Sequence, residues 1–229
     1  MKKHSLTAFF ILSIAFFWMS CTTVSPDDDT ITKNTLASRP AVPINSSEIL
    51  IGNQIWMVKN LNVSKYRNGD PIPQVTNASQ WGTLTTGAWC YYANNTANGI
   101  VYGKLYNWYA VNDPRGLTPT GYHVPSDAEW AVLTTYLGGQ NYAGGKMKTI
   151  SLWNSPNAGA TNSSGFSGLP GGYREGNSTN MGSVGKWWSS SDLGQLDAAF
   201  YRQLIFNYGD ITQLAAYKTV GLSVRCIKN

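Results

Sequence analysis

The chain has 229 residues and a formal net charge of +5, and only 13% of its residues are charged while another 13% are aromatic. A disordered chain would be rich in charge and poor in aromatic residues, and a helical bundle would need more Ala, Glu, Lys and Leu, so the composition excludes both classes. The nine Trp, thirteen Tyr and 23 Gly residues favour a compact, β-rich extracellular domain.

The first 20 residues have the parts of a secretory signal, in which Lys2 and Lys3 precede an apolar run that ends at Met19. The run is too short for a membrane-spanning helix of the mature protein. Because Cys21 follows a small residue, the pattern resembles a bacterial lipoprotein signal with Cys21 as the lipidated residue. The alternative is an ordinary signal peptide with an incidental cysteine. The polar residues 21–48 are typical of a flexible tether.

The first half of the remaining chain contains one predicted hairpin and two predicted helices. Two apolar segments around a Gly-Asn turn predict the hairpin over residues 49–58. The clearest helix is predicted over residues 126–137, because Ser126 and Glu129 have the spacing of a capping box. A weaker helix is predicted over residues 104–111.

In the second half of the chain, the side-chain pattern repeats every two residues, as in a β-strand. Alternating residues predict a strand over 200–206, a returning strand over 211–216 and a last strand over 220–226. The last strand places Cys226 on its apolar face, where a thiol is buried or bridged. Residues 138–186 are rich in Gly, Asn and Ser with little periodicity, which is typical of a functional loop region on a scaffold.

Catalytic and metal-binding patterns are missing from the sequence after the signal. His123 is the only histidine there, and its position favours a hydrogen-bonded structural residue over a general base. One histidine and two distant cysteines do not make a usual zinc site, and no phosphate-binding or dinucleotide-binding motif is present. The excess of Lys and Arg over Asp and Glu is scattered along the chain and forms no run, which argues against nucleic acid as a partner. We therefore predict no catalytic site, no metal and no cofactor.

Two cysteines remain after Cys21, and both flank apolar, strand-like segments. In an oxidising compartment this predicts a disulfide between Cys90 and Cys226. The alternative is two buried free thiols.

Six segments of the chain resemble, in order, the Fibrobacter succinogenes major paralogous domain. They read IGNQIWMVKNLN (51–62), WCYY (89–92), YGKLYNW (102–108), GYHVPSDAEW (121–130), NSSGFSGLPGGYR (162–174) and GLSVRC (221–226). The resemblance spans residues 49–229, which we take as one domain. One departure is Thr118, which stands where the family often has a cysteine. Members are typically surface or secreted lipoproteins of Bacteroidetes and their relatives, which implies an outer-membrane lipoprotein exposed at the surface of a Gram-negative cell.

The resemblance implies an α+β, C-type-lectin-like fold with twisted antiparallel sheets, one or two short helices and a long loop region. The segment around His123 is also similar to formylglycine-generating sulfatase-modifying domains, but the reactive cysteines of those relatives are not matched. The calcium-binding triplets of sugar-binding C-type lectins are not seen either. Fold alone does not fix function.

We expect a lipid-anchored, non-enzymatic domain that mediates recognition or adhesion and binds a glycan or a protein. The predicted ligand surface is the region 153–192, where Trp153, Tyr173, Trp187 and Trp188 would supply stacking faces. The alternative is aromatic core packing, and on a strand at most one of the adjacent pair would face solvent. Two other functions stay open, a structural component of a surface assembly such as a fimbrial tip or stalk, and a divergent enzyme.

Overall fold

The computed structural model describes residues 41–194 and 197–229. The predicted signal, Cys21 and most of the predicted tether lie outside these ranges. Within them the chain is a mixed α and β domain with antiparallel sheets and few helices. No helix in the described ranges is long and apolar enough to span a membrane.

The largest sheet joins the two ends of the domain. It has five strands in the order β1-β2-β3-β12-β6. The strands are β1 (Val42–Asn45), β2 (Glu48–Ile51), β3 (Gln54–Met57), β6 (Tyr122–His123) and β12 (Ile227–Lys228). The β2–β3 hairpin confirms the prediction for residues 49–58. Residues 42–48 were expected in the tether, but here they form β1 and the start of β2.

The segment between the hairpin and β6 consists of short elements. They are α1 (Ala78–Gly82), β4 (Trp89–Cys90), a 3-10 turn (Tyr92–Asn94), α2 (Thr96–Tyr102), β5 (Leu105–Tyr106) and α3 (Trp108–Val111). The helix predicted over 104–111 is therefore right only for its second half. Asn107 divides the segment, because its Oδ1 accepts hydrogen bonds from the backbone N–H of Ala88 at 2.9 Å and of Ala110 at 3.1 Å. It thus caps α3 and holds it to β4.

Two helices follow β6. They are α4 (Asp127–Tyr136) and α5 (Gln140–Met147). The predicted helix over residues 126–137 and its capping box are confirmed. Ser126 accepts from the N–H of Glu129, and the Glu129 carboxylate accepts from the N–H of Ser126 at 2.8 Å. Two N–H groups that the helix leaves unpaired are thus satisfied.

The remaining strands form a small hairpin and a three-stranded sheet. The hairpin is β7 (Tyr173–Glu175) with β8 (Asn177–Thr179), and the sheet contains β9 (Val184–Asp192), β10 (Ala198–Ile205) and β11 (Thr212–Tyr217) in the order β11-β10-β9. β10 and β11 confirm two of the predicted strands. Residues 220–226 differ from the prediction, because they make single bridges to Tyr106, Arg174 and Trp187 and join a ladder only at β12.

The three-stranded sheet lies between two hydrophobic cores. On one face, Trp188 and Tyr201 pack with Trp108 in the first core. On the other face, Trp187 and Leu204 pack in the second core, which also contains residues of α4, α5 and the β2–β3 hairpin. Because successive residues of a strand point to opposite faces, β9 supplies side chains to both cores.

Candidate functional site

Three of the four aromatic side chains predicted to bind ligand are core residues. Trp187 and Trp188 are 0% exposed and Trp153 is 8% exposed, and only Tyr173 is half-buried. Each indole N–H donates to a protein oxygen, that of Asn60, Tyr106 and Gly168, respectively. The prediction of a tryptophan stacking surface is therefore wrong, and core packing is observed instead. Neither member of the adjacent pair faces solvent, because β9 has a core on each side.

The predicted disulfide is also wrong in this structure. Cys90 and Cys226 are free thiols, and both are fully buried. They lie in different hydrophobic clusters, Cys226 in the first core and Cys90 in a smaller cluster with Trp81 and Leu105. Burial raises the pKa of the Cys226 thiol to about 12 and raises that of Cys90 as well. Neither thiol has exposed surface through which it could meet a substrate.

His123 connects the start of α4 to the end of the chain. Its Nε2 lies 2.7 Å from a carboxylate oxygen of Glu129, and its Nδ1 lies 2.7 Å from Oδ1 of Asn229. The same carboxylate of Glu129 belongs to the capping box, so the ring is part of a hydrogen-bonded support for the helix. Within residues 41–194 and 197–229, no three His, Cys, Asp or Glu side chains are close enough to hold a metal ion.

Five buried cations have no acidic partner among the described residues, where every ion pair involves other side chains. Each lies over an aromatic ring instead. The pairs are Lys104 over Trp89, Lys148 over Trp153, Arg174 over Trp81, Lys186 over Tyr173 and Arg225 over Phe166. The π-electron face of each ring attracts the cation electrostatically, although the ring has no net charge. The interior therefore holds these positive charges against aromatic rings, without a direct ion pair among the described residues.

Arg174 connects the β7–β8 hairpin to the segment before α1. It is 2% exposed. Its Nε donates to the carbonyl of Gly176 at 2.8 Å, and its Nη2 donates to the carbonyl of Thr76 at 2.8 Å. Its Nη1 donates to the carbonyl of Val75 at 3.3 Å and to Oδ1 of Asn94 at 3.0 Å. These four acceptors are neutral oxygens, and the guanidinium also forms a side-chain hydrogen bond with the Cys90 thiol.

A polar cavity of about 280 Å³ lies beside this guanidinium, and we call it the hairpin cavity. Its lining includes Thr76, Asn94, Arg174, Gly176, Asn177 and Ser178. The Ser178 hydroxyl accepts from the N–H of Ala93 at 2.9 Å and keeps its own O–H. No group in the described part of the chain hydrogen-bonds to the exposed amide of Asn177. The cavity therefore presents both donors and acceptors to a ligand.

A second cavity, of about 360 Å³, lies next to the edge strand β11, and we call it the edge cavity. Its lining is mainly apolar and includes Leu193, Ala198, Tyr201, Ala215, Tyr217 and one acid, Glu175. Arg174 and Glu175 are successive residues of β7, so they point to opposite sides of the hairpin. The hairpin thus separates a polar cavity with a cation from an apolar cavity with an acid.

No sequence pattern singled out Arg174, Asn94 or Asn177 as site residues. One local signal was available, the Gly-Gly-Tyr-Arg segment that ends at Arg174. Gly172 has a φ of +64°, and a Cβ there would lie 2.5 Å from the carbonyl oxygen of Thr179. A glycine that is required at the base of a hairpin indicates close packing there, but it does not reveal which side chains the packing brings together.

Residues 49–228 match the model of the Fibrobacter succinogenes major domain. No curated protein matches the chain, and no solved structure matches it.

Proposed function

The chain belongs to the Fibrobacter succinogenes major domain family, and on this premise we propose a non-enzymatic surface lipoprotein whose domain mediates recognition or adhesion. Its ligand is a glycan or a protein. The anchor is a lipid on Cys21, which attaches the domain to the outer membrane. Labelling with a radioactive fatty acid is expected in the wild-type protein and not in Cys21→Ala, and equal labelling of both proteins would contradict the anchor.

The observation that carries this proposal is the hairpin cavity. Ligand sites combine a concave surface with a few convergent polar groups held by a rigid scaffold. Here Asn177 and Ser178 line the cavity from a β-hairpin, and Arg174 ties that hairpin to the rest of the domain. Amide and hydroxyl groups both donate and accept hydrogen bonds, which suits the hydroxyl groups of a sugar.

We also propose the C-type-lectin-like fold for this domain. Two features support it. Strands from both ends of the domain pair in one sheet, with Ile227 opposite Trp56. In addition, the segment between α5 and β7, residues 148–172, forms a long irregular loop region with no helix or strand of its own.

A glycan array tests the recognition function directly. We expect the wild-type protein to bind a subset of glycans and Asn177→Ala to bind them about threefold to tenfold more weakly, the loss that one or two hydrogen bonds account for. Asn112→Ala is the matched control, because Asn112 is also exposed and lies outside the hairpin cavity. Equal binding by the wild-type protein and Asn177→Ala would contradict this use of the cavity.

One observation favours a structural role in a surface assembly as a second candidate. β11 pairs only with β10 within the described ranges, and its six residues carry no charge and no proline, the usual protections of an edge strand. Leu214 is 39% exposed and Tyr217 is 69% exposed. If this edge mediates assembly, Leu214→Lys should lower the mass that light scattering measures for the purified protein. A monomeric wild-type protein at high concentration would contradict self-assembly through β11.

A further inference from the structure

We propose that the hairpin cavity binds an anionic group of a glycan, a carboxylate or a sulfate ester, beside Arg174. This inference rests on the recognition function proposed above and adds the class of ligand. It follows from the charge of the cavity, from the neutral partners of the guanidinium and from the contrast with the edge cavity.

Arg174 has no carboxylate partner among the residues that the structure describes. The guanidinium is 2% exposed, and its four acceptors are three backbone carbonyls and the side-chain amide of Asn94. A buried charge is costly unless an opposite charge or a full set of hydrogen bonds offsets its lost hydration. No acid lines the hairpin cavity. An incoming anion therefore meets a positive charge and no repulsion from the cavity wall.

The partners of the guanidinium are all neutral. Four of its five N–H groups donate to the oxygens described above, and it also forms a side-chain hydrogen bond with the Cys90 thiol. None of these partners cancels the positive charge, and Arg174 lines the hairpin cavity. An anion in the cavity is therefore attracted by a cation that has no carboxylate beside it.

The edge cavity lacks these properties. It is mostly apolar, and its one charged lining residue is Glu175, which repels an anion. The nearby cation, Lys186, has its ammonium 3.5 Å from the ring centroid of Tyr173 and 5.1 Å from that of Tyr201. Of the two cavities beside the hairpin, only the hairpin cavity combines a cation with neutral hydrogen-bonding walls.

The test uses the mature protein on three sets of immobilised oligosaccharides that differ only in their terminal residue, which is glucuronate, a sulfated glucose or glucose. We expect at least tenfold tighter binding to one of the charged sets than to the neutral set, and a preference that weakens as salt rises. The better charged set identifies the carboxylate or the sulfate as the group bound.

Asn177→Asp provides the decisive variant, because it adds a negative charge to the cavity at an exposed position and keeps the size of the side chain. We expect it to abolish the preference for charged sugars, while Asn112→Asp, with the same change in net charge, retains it. Thermal melting monitors the fold of both variants.

Three results would overturn the inference. If the protein binds the charged and neutral sets equally and Asn177→Ala weakens that binding, the recognition function is supported and the preference for an anion is contradicted. A preference for charged sugars that Asn177→Asp does not change would place the anion elsewhere on the domain. If the protein binds none of the three sets, the proposal that the cavity binds an anionic glycan is wrong.

Discussion

The buried cations allow a paired prediction, since Lys148 and Lys186 are both buried but have different surroundings. The Lys148 ammonium lies within hydrogen-bond distance of four backbone carbonyls, those of Ala158 at 2.8 Å, Ile205 at 3.1 Å, Phe206 at 3.4 Å and Tyr208 at 2.7 Å. The Lys186 ammonium faces two tyrosine rings, and no oxygen in the described part of the chain accepts from it. Replacement by methionine removes the charge from each and keeps most of the side-chain volume.

The two replacements should differ in cost. Lys148→Met leaves the carbonyls of Ala158 and Tyr208 without a donor, because those of Ile205 and Phe206 also accept backbone N–H groups, and each lost partner costs about 1–3 kcal/mol. Burial lowers the pKa of Lys148 to about 8, so removal of its charge offsets part of this cost, and we expect a net loss of about 2 kcal/mol. Lys186→Met loses cation–π attraction worth about 1–2 kcal/mol. It also removes the cost of burying the charge, which lowers the pKa of Lys186 below its ordinary value. These effects oppose each other, so we expect a net change within about 1 kcal/mol.

Urea unfolding, followed by tryptophan fluorescence, measures both free energies of unfolding. The buried tryptophans make this signal sensitive to loss of the core. We expect Lys148→Met to shift the midpoint strongly and Lys186→Met to leave it nearly unchanged, with equal slopes. Equal losses for the two variants would refute the reasoning, because they would mean that carbonyl oxygens and aromatic rings stabilise a buried ammonium to the same extent.

The remaining predictions concern α5 and the thiols. A Cβ at Gly144 would lie 1.8 Å from the carbonyl oxygen of Asp210, so Gly144→Ala should destabilise the domain by about 3 kcal/mol in the same unfolding assay. Gly82→Ala in α1 is the control, because a Cβ there meets no atom within 4 Å and should give a change between zero and about 1 kcal/mol of stabilisation. In the absence of reductant, Cys90 and Cys226 should react with iodoacetamide when the protein is unfolded and not when it is folded. Peptide mass spectrometry detects the label. A bridged pair would stay unlabelled in denaturant.

Local sequence signals predicted the local elements of this fold. The capping box of α4 and the Gly-Asn turn of the first hairpin involve residues within a few positions of one another, so the sequence carries all the information they need. The prediction of a helix over 104–111 failed at Asn107, which caps α3 and also accepts a hydrogen bond from the backbone N–H of Ala88, just before β4. Asn107 and Ala88 are 19 residues apart, and a hydrogen bond over that separation produces no periodic pattern in the sequence.

The candidate site could not be predicted for the same physical reason. The guanidinium of Arg174 reaches carbonyls of Val75 and Thr76, 99 and 98 residues away along the chain. Trp187 and Trp188 lie in the polar, loop-rich region 153–192, which suggested a binding surface, but two cores enclose β9. Burial on both sides of a strand is a property of the tertiary fold.

The way the interior holds its cations has a consequence for the response of the domain to acid and base. Backbone carbonyls and aromatic rings take up no proton when the pH falls in the physiological range. Acid neutralises carboxylates, and in the described ranges these belong to pairs such as Asp113 with Arg115 and the buried Glu48 with Lys228. The hydrogen-bond acceptors of Lys148, Arg174 and Arg225 therefore stay the same in acid. Base acts on the cations themselves, because burial lowers the pKa of Lys148 to about 8, so the core resists acid better than base.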